Sequence, residues 1–296
     1  MANESEWLAE RFEAHRAHLR GVAYRMLGSL AEADDAVQEA WLRLSRSGAG
    51  GVENLGGWLT TVVARVCLDM LRSHTSRREE PLDEQVAGQA ASREDGLDPE
   101  YEAQLADSVG LALLVVLDTL APAERLAFVL HDMFDMSFGE IAPILGRSPA
   151  AARQLASRAR RRVRGGATVL DAGMARQRDV IEAFLAALRG GDFEALVALL
   201  DPDVVVRAGT REVRGASTWA RQALGFSKVA RFARPALVNG TVGVVMAPRG
   251  RLFRALSFTF AHDRIVRIDV VADPGQLRRL DLAVLPEDGT EGRPPE

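Results

Sequence analysis

Cysteine is almost missing from this chain, and its scarcity removes whole classes of chemistry at the outset. Cys67 is the only one in 296 residues, so neither an intrachain disulfide framework nor a thiolate metal cluster can form. It falls in an apolar helical stretch and is expected to be a small core residue. No apolar run reaches the roughly 20 residues a membrane span needs. The opening MANESEWLAERFEAH lacks a basic head followed by an apolar core, so no signal peptide is expected. The expected location is therefore cytoplasmic, without membrane contact. A metal site is not expected either. His15 and His18 stand at helical spacing, but no third ligand lies nearby in sequence, and exposed helix residues are the expectation.

What is present is ordinary in bulk and uneven in detail. Hydrophobic residues make up 47% and charged residues 26%, as in a soluble globular protein, and the length suits two or three domains. The net charge of −4 conceals a partition. Residues 1–78 balance ten bases against ten acids, whereas residues 79–107 carry ten acids and only Arg93 as a base. Residues 108–165 and 166–296 are each mildly basic. Local charge, not the global balance, identifies partners here.

The periodicity divides the chain. From Trp7 to about Arg46, apolar residues recur at three-to-four spacing with a break at Gly28-Ser29, which predicts two helices. GAGGVENLGG reads as a loop and Leu59 to Leu71 as a third helix. The expected organisation is 1–78, a helical domain; 79–107, an acidic linker poor in large apolar residues; 108–165, a second helical domain; 166–178, a short linker; 179–280, an α+β domain; and 281–296, a flexible tail. In the third domain two amphipathic helices meet at Gly190-Gly191, with Asp192 placed to cap the second. Short β-rich runs follow, with AHDR as a turn, and predict a curved antiparallel sheet.

The chemistry concentrates first in GRSPAAARQLASRARRRVRG, residues 146–165, which holds seven arginines and no acid. A basic helix end is either a solvated terminus favoured by the helix dipole or a DNA-reading surface. Gly146 permits the turn, Ser148 can cap the next helix, and Pro149 suits the first helical position. Ala152, Leu155, Ala156, Ala159 and Val163 give a narrow packing stripe, leaving Arg153, Gln154, Ser157, Arg158, Arg161 and Arg164 facing outward. These are the parts of a helix-turn-helix, whose second helix enters the major groove. Guanidinium forks suit both guanine edges and phosphates.

In the first domain, Asp35, Gln38, Glu39 and Leu42 share a face opposite the Trp41 stripe. It is either a solvated face or a docking site for a basic partner helix. Thr61, Arg65, Asp69 and Arg72 form another stripe, continued by Arg77 and Arg78, beside a loop with polar tips and Trp58. That combination suits single-stranded DNA. The acidic-apolar face separates a factor that docks on a basic partner helix from a stand-alone DNA-binding regulator, which has no use for it. A third reading, an enzyme with a DNA-binding appendage, needs a catalytic pair. Asp269 in a β run, beside His262 and Asp263 at a turn, supplies no second convergent group, so no catalytic residue and no cofactor are expected.

Residues about 10–165 resemble an extracytoplasmic-function (ECF) sigma factor, the promoter-specificity subunit of bacterial RNA polymerase. YRMLGSLAEADDAVQEAWLRL is similar to the family's polymerase-clamp helix. ENLGGWLTTVVARVCLDMLRS is similar to its minus-ten melting element, and LAPAERLAFVLHDMFDMSFGEIAPILGRSPAAARQLASRARRRV to its minus-thirty-five reader. The resemblance implies that Asp35, Gln38, Glu39 and Leu42 contact core RNA polymerase. It places Asn54, Trp58, Arg65, Arg72 and Arg77 at minus-ten promoter DNA, and Arg153, Gln154, Ser157, Arg158 and Arg161 at the minus-thirty-five element. The acidic run 79–107 then either mimics nucleic acid in the polymerase cleft or acts as a tether.

DVIEAFLAALRGGDFEALVALLDPDVVV resembles a SnoaL-like α+β cone. The fold class expected is thus multidomain: two all-α sigma-factor domains, the second a helix-turn-helix, then the cone. Fused cones of this group are thought to replace a separate anti-sigma factor, which implies regulation through an intramolecular contact between cone and sigma domains. Of the family's terminal motif ADPGQLRRL keeps Pro274 and Leu277, so Asp273, Pro274 and Leu277 are the candidate contact. A helix cap after the last strand is the alternative. The family's glycine-rich motif survives only as RAGTREVRG, residues 207–215.

Overall fold

The computed structural model describes residues 2–47, 54–78, 110–165, 172–247 and 252–285. The acidic linker 79–107, most of the loop before Asn54 and the tail from Pro286 lie outside the described residues. Two compact units are present: Met1–Gly110 with Leu120–Arg160, and Leu111–Thr119 with Arg161–Glu296.

The first unit begins with α1 (Ala2–Leu27), α2 (Leu30–Ser47) and α3 (Leu55–Arg78). Gly28 separates α1 from α2 at φ 76°, a left-handed conformation that glycine adopts without Cβ strain, and its N–H closes α1 on the Tyr24 carbonyl at 2.8 Å. Phe12, Leu19 and Met26 from α1, Ala36, Val37 and Leu44 from α2, and Leu59 and Val63 from α3 are buried as the periodicity predicts, with Leu30 and Leu68 beside them. Cys67 is buried with them. Helix α3 starts earlier than the apolar pattern indicates. Asn54 Oδ1 accepts from the Gly57 N–H at 3.0 Å, so Leu55-Gly56-Gly57, read as loop, is a capped first turn.

The same unit continues through α5 (Pro122–Phe128), whose last turn widens into a π-helical segment, Val129–Met133, before α6 (Phe138–Leu145). Helix α5 lies against α3. Arg125 is 2% exposed, and its Nε donates to the Arg25 carbonyl at 3.2 Å. The Arg25 guanidinium lies 5.2 Å above the Phe134 ring, and His18 meets that ring edge-on at 5.3 Å. A sequence stripe of apolar residues does not announce an arginine in a core.

The second unit is the cone. Helix α8 (Ala172–Gly190) begins earlier than VIEAFLAALRGG suggests, and α9 (Phe193–Leu199) follows a turn at Gly191. The Asp192 carboxylate caps α9, accepting from the Ala195 N–H at 2.9 Å. Strands β1 (Leu200–Ala208), β2 (Arg211–Arg214), β3 (Ala233–Val238), β4 (Thr241–Met246), β5 (Arg254–Ala261), β6 (Arg264–Val271) and β7 (Leu282–Ala283) form one sheet in the order β2-β1-β6-β5-β4-β3-β7. The sheet is mixed rather than antiparallel throughout, because β1 runs parallel to β6. The chain leaves β1 for the far edge and returns, so β6 enters beside β1 in the same direction. Between β2 and β3 stand α10 (Ala216–Ala223) and α11 (Ser227–Ala230). Phe184 of α8, stacked on Trp219 and edge-on to Phe258, sits at the centre of the core. The β5–β6 turn carries His262 and Asp263 at φ 51° and 59°, the paired left-handed residues of a tight hairpin. Helix α4 (Leu111–Thr119) belongs to this unit, lying against β3 and β7 with Leu114 to Leu117 buried.

Candidate nucleic-acid and polymerase interface

The helix that carries the arginine run is α7 (Pro149–Arg164), and its position is fixed residue by residue. Ser137 and Glu140 form a reciprocal capping box at the start of α6. Gly146 ends α6 at φ 63°, ψ 38°, and the Arg147 N–H bonds to the Ala142 carbonyl at 3.0 Å. The Ser148 hydroxyl then accepts from the Ala151 N–H at 3.2 Å, as the cap predicts. Ala152, Ala156, Ala159 and Val163 are buried. Their small size lets the helix axis sit close to its support and lifts the other face outward.

That outer face presents Arg153, Gln154, Ser157, Arg158 and Arg161, all exposed. The Arg153 guanidinium rests 5.4 Å from the Phe138 ring centroid, which holds its stem at the helix start. Arg160, from the same arginine run, does not share this face; it pairs with Asp132 and braces α7 on the π-helical segment. Spacing alone does not tell a bracing arginine from a reading one, because the acid lies 28 residues away.

On α2, Asp35, Gln38 and Leu42 are exposed, Leu42 at 37%. Glu39 is half-buried and accepts from Arg43 at 3.0 Å. Trp41 turns inward onto Phe12, centroids 5.1 Å apart. The face is acidic with one apolar contact point, and it is open to a partner. On α3, Arg65 and Arg72 are exposed and Trp58 is half-buried beneath them in sequence. Asp69 pairs loosely with Arg72 at 3.8 Å, an exposed i,i+3 contact of small energy. Asn54 is the α3 cap. Arg77 is helical, and its side chain lies outside what is described. The His18 ring nitrogen lies 3.3 Å from the Thr60 hydroxyl, burial lowers its pKa, and no group of three metal-ligating side chains occurs among the described residues.

In the cone, Asp273 caps the short helix α12 (Pro274–Leu277), accepting from the Gln276 N–H at 2.8 Å. Leu277 is buried and Pro274 exposed. This turn delivers the chain to β7. There Asn239 and Asp281 exchange two hydrogen bonds at 2.7 and 3.0 Å, and β7 adds to β3. One residue further, the Val284 N–H donates to the carbonyl of Val163, at the end of α7, at 2.9 Å. Gly165 follows at φ 64°, with Ala283 so close that a Cβ there would fall 2.8 Å from the alanine methyl. Sequence reasoning missed this junction, since no motif marks a bond between residues 121 positions apart. Asp269 is held by Arg267 through two bonds of 2.7 and 2.8 Å, which suits an ion pair rather than a general base. RAGTREVRG forms the β1–β2 hairpin. Hydrogen bonds from Arg207 and Arg214 keep its Glu212 below the usual carboxylate range. No helix among the described residues is long and apolar enough to cross a membrane.

A capped helix-turn-helix with an outward arginine face, beside a helical bundle with an open acidic face and a basic helix, defines a promoter-reading transcription factor. Comparison with known proteins makes the class specific. Residues 11–77 match the family model Sigma-70 region 2, and residues 110–163 match Sigma-70, region 4. The chain is 34% identical over 272 residues to the probable ECF RNA polymerase sigma factor SigI of Mycobacterium tuberculosis (strain CDC 1551 / Oshkosh), covering 90% of this chain and 93% of that one. It is 40% identical over 252 residues to the ECF RNA polymerase sigma factor SigJ of M. tuberculosis (strain ATCC 25618 / H37Rv), covering 80% of each. The crystal structure of M. tuberculosis SigJ is similar over 90% of this chain and 97% of that one, at 33% identity and a TM-score of 0.45. The chain belongs to the ECF sigma factors of RNA polymerase. As such it binds core polymerase, recognises promoter DNA and initiates transcription.

Proposed function

We propose that the cone regulates this sigma factor by holding the end of the reading helix, and that the surfaces above divide the work of initiation. Asp35, Gln38, Glu39 and Leu42 dock on a basic helix of core polymerase, with Leu42 as the apolar anchor at the centre of a charged rim. Arg65, Arg72 and Arg77 follow the backbone of the melted minus-ten strand, with Asn54 and Trp58 at the base-capturing end. Arg153, Gln154, Ser157 and Arg158 read the minus-thirty-five element in the major groove, and Arg161 contacts phosphate. Asp273, Pro274 and Leu277 set the path of the segment that reaches α7. The observation that supports regulation is the main-chain bond from Val284 to Val163. Through that bond a displacement of β7 is expected to reach the last turn of α7.

The test is transcription in vitro with purified core polymerase and promoters selected from a fragment library. The full chain yields specific transcripts. A variant with Asp35→Lys and Leu42→Ala loses core binding, and Arg153→Ala with Arg158→Ala loses promoter selection while retaining core. Ala283→Asp, which buries an unpaired carboxylate beside Val163, changes transcript yield at constant core affinity, and the direction gives the sign of regulation. Unchanged yield in that variant removes the regulatory reading. Normal core binding by the α2 variant removes the docking assignment.

A further inference from the structure

The cone contains the longest acid-free stretch of the chain's chemistry that the sigma-factor reading leaves unused. Between Glu212 and Asp263 there is no acidic residue, while the same residues include Arg214, Arg221, Lys228, Arg231, Arg234, Arg249, Arg251 and Arg254. A run of that kind has no internal counter-charge, and the fold gathers part of it at one end of the sheet. Strand register sets Ala233 opposite Met246 and Met246 opposite Arg254. The Phe253 N–H bonds to the Met246 carbonyl at 2.8 Å, and the Ala247 N–H to that of Phe232 at 3.2 Å. The starts of β3 and β5 therefore share an edge with the end of β4, and the turn Leu224–Phe226 leans over it.

Arg254 lies at the centre of this end. Its guanidinium sits 5.2 Å from the Phe226 ring and 5.0 Å from the Phe253 ring. Those rings are 45% and 40% exposed, two of the few large hydrophobic side chains left in solvent among the described residues. The guanidinium makes no hydrogen bond or ion pair with any described residue. Its Nε is shielded without an acceptor, and burial lowers its pKa. A shielded donor without an acceptor is costly, and native structures seldom leave one unexplained. Arg231 repeats the pattern next to it, exposed and 4.5 Å from the Phe232 ring. Aromatic faces interleaved with arginines that lack carboxylate partners offer stacking for bases and charge for a phosphate backbone. An acidic protein surface would satisfy the charge and leave Phe226 and Phe253 without a use. A duplex, its bases already stacked, would do the same.

We propose that Phe226, Phe253, Arg254 and Arg231 form a single-stranded nucleic-acid contact on the cone, separate from the region 2 and region 4 surfaces. Two bases stack on the phenylalanine rings while the guanidinium groups meet the phosphates between them. The assignment stands on the cone alone and does not depend on the sigma-factor roles proposed above.

The experiment measures binding of a labelled oligothymidylate to the full chain by fluorescence anisotropy across a salt series. A Phe226→Ala, Phe253→Ala double variant is expected to bind about tenfold more weakly with the same salt slope, since stacking carries no counterion release. An Arg231→Ala, Arg254→Ala double variant is expected to lose affinity and reduce the salt slope by about one to two. Arg254→Lys keeps the slope. An Arg65→Ala, Arg72→Ala variant isolates the region 2 contribution. Losses at the cone are expected to add to it, because the sites are independent. Matching denaturation midpoints exclude unfolding as the cause, and Phe226→Trp, which keeps a ring, retains the affinity. Unchanged binding in both cone double variants overturns the proposal. So does loss confined to duplex DNA, or equal competition by polyglutamate, which marks an unselective acidic-polymer surface.

Discussion

At the scale of single residues, Cys67 and Arg125 show how position in the fold sets chemistry. Burial pushes the Cys67 thiol up to about 12, well above its ordinary value near 9, so the thiolate is not the form the folded protein holds. The sign of the linkage follows. The unfolded chain releases this proton above about pH 9 while the folded chain keeps it, so stability is unaffected below that pH and falls as pH rises toward 12. The slope approaches about 1.4 kcal/mol per pH unit. Urea midpoints measured from pH 8 to 11 are expected to fall more steeply for the wild type than for Cys67→Ala, and the native thiol is expected to resist iodoacetamide at pH 8. A fast-reacting thiol in the native state contradicts this placement. Arg125 is the opposite case, a cation held inside the first unit by the Arg25 carbonyl. The letters APAERLAF suggest an exposed arginine, because helical periodicity reports the face a residue occupies and not what covers that face.

At the scale of elements, the helix-turn-helix was legible in almost every part. Gly146, Ser148 and Pro149 are local signals, acting through backbone groups within four residues, and the structure uses each as its chemistry predicts. Ser148→Ala is expected to cost about 1 kcal/mol, read as a lower denaturation midpoint. It should also weaken duplex binding several-fold, because the first turn of α7 carries Arg153 and Gln154. A stability loss with no change in duplex affinity would detach the cap from DNA reading. Boundaries were less legible. The starts of α3 and α8 lie earlier than the apolar pattern indicates, since a capping asparagine at α3 and the polar turn Arg176-Gln177-Arg178 in α8 extend a helix without adding to its hydrophobic stripe. The direction of β1 was also hidden. Alternation identifies a strand, but parallel or antiparallel pairing depends on which distant strand it meets.

At the scale of the whole molecule, the cone's last strand bonds to the final turn of α7, a contact that no single element reveals. Gly165 carries φ 64° with Ala283 against it, so a side chain there is both strained and crowded. Gly165→Ala is expected to destabilise the cone's unit by about 1–2 kcal/mol from the left-handed conformation alone, with a further loss from displacing β7, measured by chemical denaturation. It is also expected to alter transcript yield in the same direction as Ala283→Asp, since both act on the Val163–Val284 bond. A stability change below about 0.5 kcal/mol would mean that this junction yields freely and cannot transmit strain to the reading helix.

The division between sequence and fold follows from the range of the forces involved. Caps, turns, helical stripes and the partition of charge act over a few residues, so the sequence by itself determined two helical domains, an α+β domain and a basic reading helix with its outward residues. What only the tertiary structure decided depends on groups brought together from far along the chain: Arg125 beneath the Arg25 carbonyl, Arg160 on Asp132, Val284 on Val163, and Arg254 between Phe226 and Phe253. Each of these is a hydrogen bond, ion pair or ring contact whose energy depends on distances of a few ångströms, and those distances are set by packing rather than by spacing along the chain.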